Sequence, residues 1–286
     1  MIGLKIIKKR ISSVTSIEKM TKAMKLISAV KLRKSTINYN NITSYYDSIY
    51  NILPYFFSIK SNIKNKILNR YIIDACKKNR LLLIIITSDK GLLGNFNNKI
   101  ITYANNIITN DMHDNIDYLC IGNKAISFFK NKKNYLYEYS SKLDTAINID
   151  FISKITLYIT KCFDLKKYDD VKVIYYKFVK INQYNLMCES LLPIKIHYKS
   201  CENYIIEYNS INSIIEVINN AIKFKILKCI YSSIVSENTA RMIAMDQATN
   251  NSKDLLKELK LKYNNIRQNI VTKEIIEIIG GNINAM

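Results

Sequence analysis

Residues 87–98 read TSDKGLLGNFNN, behind the apolar run LLLIII from Leu81 and ahead of a helix-like stretch from Asn97. A glycine-bearing turn between strand and helix is where phosphate is commonly held, because the helix N-terminus offers unpaired N–H groups and the positive end of its dipole. A P-loop needs G-K-[ST] and a dinucleotide loop needs G-x-G-x-x-G, and Gly91 and Gly94 fit neither. The stretch therefore reads as a tight structural turn, with both glycines serving backbone conformation and Asp89 and Lys90 placed to pair or cap. Other candidates for chemistry are sparse. Asp169 and Asp170 adjoin in a loop, and Glu274 and Glu277 lie one helical turn apart, as on solvated faces. Cys76, Cys120, Cys162, Cys188, Cys201 and Cys229 include no C-x-x-C pair and read as small hydrophobes in a reducing compartment. His113 and His197 stand beside no nucleophile. The residues point to no catalytic site, no metal and no cofactor.

The elements around that turn have three different characters. In the first 53 residues there is one glycine and no proline, and Leu4, Ile7, Ile11, Val14, Ile17, Met20, Met24 and Ile27 follow in steps of three and four. Such spacing predicts one long helix with a coiled-coil seam, ending at Pro54. The last third, from about 210 to Ile279, also lacks proline and glycine, and Asn209 or Ser210 is available as its cap. Its seam opens with Ile211, Ile214, Ile218 and Ile222 and continues through Ile234, Arg241, Met245, Ala248, Leu255, Leu259 and Ile266. Neither stripe is stable in water alone, so the two are expected to pair as an antiparallel coiled coil. Between them, strand-length runs from Leu81, Ile116, Val171 and Asn185 alternate with helical stretches from Asn97, Asn123 and Ala146, which predicts an α/β layer with parallel pairing. The expected division is a first helix over 1–55, an inserted three-layer or Rossmann-like α/β domain over 76–200 and a closing helix over 210–286.

Among the 286 residues, 43 Lys and Arg against 23 Asp and Glu give a net charge of +20. That field attracts nucleic acid, anionic lipid or an acidic protein surface without choosing between them. No run reaches the ~18 apolar residues of a membrane span. Lys and Arg flank the first seam along its length, unlike the short basic segment ahead of a zipper, which leaves a protein-facing shaft, a nucleic-acid binder and a bridging scaffold open.

Three motifs narrow the choice. IKKRISSVTSIEKMTKAMKLISAVKLRKS resembles the opening helix of the gamma subunit of F-type ATP synthases, TSDKGLLGNFNN resembles that family's T/S-D-[RK]-G-L-C-G-x-x-N turn, and the segment from SENTARMIAM to IIGG resembles its closing helix. The resemblance spans essentially the whole chain. It implies a central rotor whose paired terminal helices run up the axis of an alternating alpha/beta hexamer. The α/β domain would lie at the foot, with the epsilon and delta subunits and the membrane c ring as further partners. ATP synthesis driven by ion flow would follow from the shaft's rotation, with no nucleic acid involved and membrane association only through partners.

By the same resemblance, Met24 takes the position facing the beta lever loop, with Lys22 and Lys25 beside it, and is expected to pack in the seam as well. Arg241 would lie between the helices or against that lever. Arg267, Gln268, Thr272 and Glu274 fall on the family's R-Q…T-x-E pattern, which contacts an upper beta loop and in part the turn region around Met24. The apolar tail IIEIIGGNINAM would run in a hydrophobic sleeve. Leu93 stands where the family often has Cys and Asn95 where it often has Gly, and the plastid insertion with two regulatory cysteines has no counterpart, so no thiol switch is expected. The absence of a transit peptide suggests the cytoplasmic side of a bacterial inner membrane.

Overall fold

The six apolar residues Leu81–Ile86 are all buried, on both faces of the strand they form. Because successive side chains of a strand point to opposite faces, such a run demands cover on both sides. The computed structural model describes residues 2–58, 70–71, 80–110, 115–130, 135–139, 149–180, 183–195 and 211–283. Its elements are α1 (Ile2–Ser58), β1 (Arg80–Ile86), α2 (Phe96–Asn110), β2 (Asn115–Ile121), α3 (Asn123–Phe129), β3 (Tyr135–Tyr139), α4 (Ile149–Asp164), β4 (Asp170–Lys180), β5 (Gln183–Leu192) and α5 (Ile211–Ile283). They divide into two compact units, residues 1–30 with 241–286 and residues 31–240.

In the larger unit the sheet runs β3-β2-β1-β4-β5. The pairs β1–β2, β1–β4 and β2–β3 are parallel, while β4–β5 is antiparallel. Only residues 181 and 182 separate β4 from β5, too few for the crossover that parallel pairing needs. Leu82, Ile84 and Ile86 face one apolar layer made by Ile152, Ile155, Ile159 and Phe163 of α4 and by Ile214, Ile218, Ile222, Ile226 and Ile230 of α5. Leu81, Leu83 and Ile85 face the opposite layer, with Phe96, Ile100 and Ala104 of α2 and Ala125, Ile126 and Phe129 of α3. The result is a three-layer α/β core whose first layer includes parts of both long helices. There α1 and α5 run antiparallel: Ser35 lies beside Asn238 and, further along α1, Asp47 lies beside Lys228.

The smaller unit is the helix pair alone. Ile11 and Val14 pack against Leu256 and Leu259, Thr21 meets Thr249 and Lys25 meets Asp246, again antiparallel.

Several expectations need correction. Pro54 does not end α1, which runs to Ser58; proline removes one N–H, and with only a turn of helix left the loss is confined to a single carbonyl. The closing helix runs through Gly280 and Gly281 to Ile283, within the expected 210–286. Strand β3, YLYEY, was not anticipated, although its aromatic content suits a strand. His113, His197, Cys76, Cys201 and the cap residues Asn209 and Ser210 lie outside the described residues.

Candidate partner-contact surface

The seam of the smaller unit differs in character from the predicted one. It keeps the step of three and four through Ile11, Val14, Glu18, Thr21, Lys25 and Ser28, so beyond Val14 it is polar, with small hydroxyl residues alternating with charged ones. Thr21 and Ser28 are 9% and 2% exposed, whereas Ile17, Met20, Ile27 and Val30, most of them expected in the stripe, are 50%, 61%, 57% and 72% exposed. On α5 the inward residues are Met245, Thr249, Ser252, Leu256 and Leu259; the expected Ala248 is only half-buried and Leu255 is 37% exposed.

Hydroxyls can occupy the seam because each finds a partner on its own helix. Thr21 Oγ1 donates to Glu18 O at 3.0 Å and Ser28 Oγ to Met24 O at 2.8 Å. Thr249 Oγ1 lies 2.9 Å from Thr21 Oγ1 and 2.7 Å from Met245 O, and its proton serves either. Across the same seam Lys25 Nζ stands 2.6 Å from Asp246 Oδ1, with the two side chains 40% and 46% exposed.

Met24 is half-buried beside this ion pair, Lys22 is exposed and Arg241 is half-buried. Arg267, Gln268, Thr272 and Glu274 are all exposed on the far part of α5. They are not brought to Met24. The helix from Asp246, opposite Lys25, to Arg267 is about 32 Å long at roughly 1.5 Å per residue. Val271, Ile275 and Ile276 are exposed in the same stretch. Two clusters thus present themselves, one at Met24 and one towards the end of α5.

In the larger unit the turn after β1 is tightly built. Ser88 and Asn97 are buried and close on each other: Asn97 Oδ1 accepts Ser88 N–H at 3.2 Å, Asn97 Nδ2 donates to Ser88 Oγ at 2.8 Å, and Ser88 Oγ donates to Lys90 O at 2.8 Å. Asp89 Oδ1 accepts the Asn123 N–H at 3.1 Å, which satisfies the first N–H of α3. The left-handed positions are Gly94, at φ +57°, and Leu92, at φ +66°. Gly91 is not among them, and open space surrounds the site of its missing Cβ, so conformation does not require glycine there. Leu93 is buried in the apolar layer with Phe96, while Leu92 is 62% exposed.

The glycine that the sequence reading passed over is Gly122, at the end of β2. It adopts φ +100°, and a Cβ there would sit 2.2 Å from Thr87 O. Among the described residues no group of His, Cys, Asp and Glu could hold a metal ion, and no helix is long and apolar enough to cross a membrane.

Comparison with known proteins agrees with this architecture. The fold is similar to a chain of the Euglena gracilis mitochondrial ATP synthase OSCP/F1/c-ring assembly, with TM-score 0.67 and 15% identity over 97% of this chain and 93% of that one. It is also similar to a chain of the Tetrahymena thermophila mitochondrial ATP synthase central stalk and c ring, with TM-score 0.61 and 21% identity over 80% and 99% of the two chains. Closer in sequence are the ATP synthase gamma chains of Cytophaga hutchinsonii, 35% identical over 98% of this chain and 97% of that one, and of Clostridium botulinum, 36% identical over 98% and 97%. The family model described as ATP synthase matches residues 3–285. With the whole length accounted for, this chain belongs to the ATP synthase gamma chain family.

Proposed function

We propose that the chain is the central rotor of an F-type ATP synthase, turning inside an alternating alpha/beta hexamer and carrying no catalytic site of its own. The observation that carries this reading is the inversion along α1, with hydroxyls between the helices and Ile17, Met20, Ile27 and Val30 facing outward. A helix pair meant for water does the reverse. Each such side chain, once fully buried, contributes roughly 1.5–3 kcal/mol, so this face suits an apolar sleeve provided by other subunits. Lys19, Lys22, Lys31, Arg33 and Lys34 lie in the same stretch and suit acidic surfaces around that sleeve.

In this reading Met24, Lys22, Lys25 and Arg241 meet the beta levers, and Arg267, Gln268, Thr272 and Glu274 meet an upper loop. Asp89, Gly91 and Gly94 belong to a structural turn. The functional parts are the shaft helices over 1–55 and 210–286 and the inserted domain over 76–200. That domain would meet the epsilon subunit and the c ring, which hold the chain at the cytoplasmic face of a bacterial inner membrane, and the delta subunit would be a further partner within the complex.

The test is reconstitution with the organism's own alpha and beta subunits, followed by Mg-ATP hydrolysis with the chain, without it and with Met24→Lys. Cooperative turnover that needs the chain and changes with the substitution is expected. Turnover indifferent to the chain removes the rotor reading.

A further inference from the structure

Strand β4 outruns its parallel neighbour. Pairing with β1 ends at Ile85↔Ile174, yet β4 continues to Lys180 with only β5 beside it. In a parallel sheet, the C=O of one residue and the N–H of the residue two further on point to the same edge, and one residue of the neighbouring strand serves both. On β4 the pair beyond the end of β1 is Tyr176 C=O and Phe178 N–H. The side chain of Ser232, 1% exposed on α5, fills the place of the missing residue. Its hydroxyl donates to Tyr176 O at 3.0 Å and accepts Phe178 N–H at 2.8 Å. A hydroxyl has one proton and two lone pairs, so a single side chain can do both. One turn on, Ser236 Oγ donates to Ser232 O at 2.9 Å and closes the group.

The side chain of the same Tyr176 reaches the other way. Its ring stacks on Phe96 with centroids 4.1 Å apart, and its hydroxyl donates to Phe96 O at 3.2 Å. Phe96 is the first residue of α2, and its N–H in turn donates to Leu93 O in the turn after β1. Tyr39 of α1 meets Phe178 edge-on at 5.9 Å. One short stretch of β4 therefore holds α5 by its backbone and the turn by a side chain.

We propose that Tyr176 and Ser232 are positioning residues forming a joint, which fixes the axial register of α5 against the sheet and the turn. Load applied to the turn then reaches the long helix without slip. Apolar packing over the sheet is non-directional, whereas the two bonds of Ser232 are not. The inference rests on the rotor reading, and its test separates the two. In the free full-length chain, Ser232→Ala is expected to speed hydrogen exchange of the Phe178 amide at least tenfold and leave the Val173 amide unchanged. In the assembled complex the same variant should lower the number of ions pumped per ATP hydrolysed at least twofold against an imposed gradient, with Ser232→Thr restoring both. Unaltered exchange at Phe178, or an unaltered pumping ratio, overturns the joint; mere loss of assembled complex leaves the ratio unaltered and counts against it. Should Ser232→Ala expose Val173 as well, Tyr176→Phe decides, since it removes only the bond to Phe96, and a ratio equal to wild type again overturns the joint. A wild-type complex that hydrolyses ATP without pumping refutes the rotor reading, while the exchange measurement still decides the joint.

Discussion

Two glycines at the carboxyl edge of the sheet behave oppositely, and the difference is visible only in three dimensions. Gly122 at φ +100° faces the Thr87 carbonyl, and Thr87 is itself held by its N–H to Ile121 O at 2.8 Å and by its Oγ1, which accepts Ala125 N–H at 2.9 Å. Neither side can yield. Gly122→Ala is expected to destabilise the fold by roughly 2–5 kcal/mol, combining backbone strain with overpacking, as measured by urea unfolding. Gly91→Ala, at a site with open space and no left-handed backbone, should be neutral or stabilise by about 0.4–1 kcal/mol in the same assay. The sequence reading gave the conformational role to Gly91 as well as Gly94, because a G-x-x-G turn is audible in sequence. A glycine such as Gly122, needed for close approach to a strand remote in sequence, is not.

Elements were legible where their apolar pattern is buried within the chain itself. The runs from Leu81, Ile116 and Val171 form strands whose two faces each meet an apolar layer. Both long helices were legible as helices. The phase of the α1 seam was legible only to Val14, after which the apolar residues move to the outer face and Thr21 and Ser28 take the inner one. Apolar periodicity reports that a face leaves water, not what covers it. The polar seam also lowers the stability that the helix pair could reach. Replacing Thr21 and Thr249 together by valine removes both partners of a buried contact with little change of shape, and is expected to raise stability by about 1 kcal/mol on thermal unfolding. Either valine alone leaves the remaining hydroxyl with only the carbonyl of its own helix, and should be less stable than the double variant.

The stability of the molecule as a whole should fall in alkali through its buried acids. Burial pushes the thiols of Cys120 and Cys229 and the phenol of Tyr176 up to about 12. Their neutral forms belong to the folded state, so their contribution is complete below the unfolded thiol value of 9.0. It is lost as pH rises towards about 12, since the unfolded chain releases these protons first. Each thiol can contribute a slope of about 1.4 kcal/mol per pH unit in that range. Lys225, lowered by burial, acts with the opposite sign just below its usual range and offsets part of the loss. Denaturant unfolding between pH 8 and 11 should show the decline, and Cys120→Ala with Cys229→Ala should make it shallower. The outward apolar face of α1 bears on biogenesis. In the rotor reading, until a sleeve closes over Ile17, Met20, Ile27 and Val30, a newly made chain presents a sticky surface to other nascent proteins. Production of this chain beyond the supply of its partners should therefore yield inclusion bodies and chaperone clients, so its synthesis has to be kept in step with theirs.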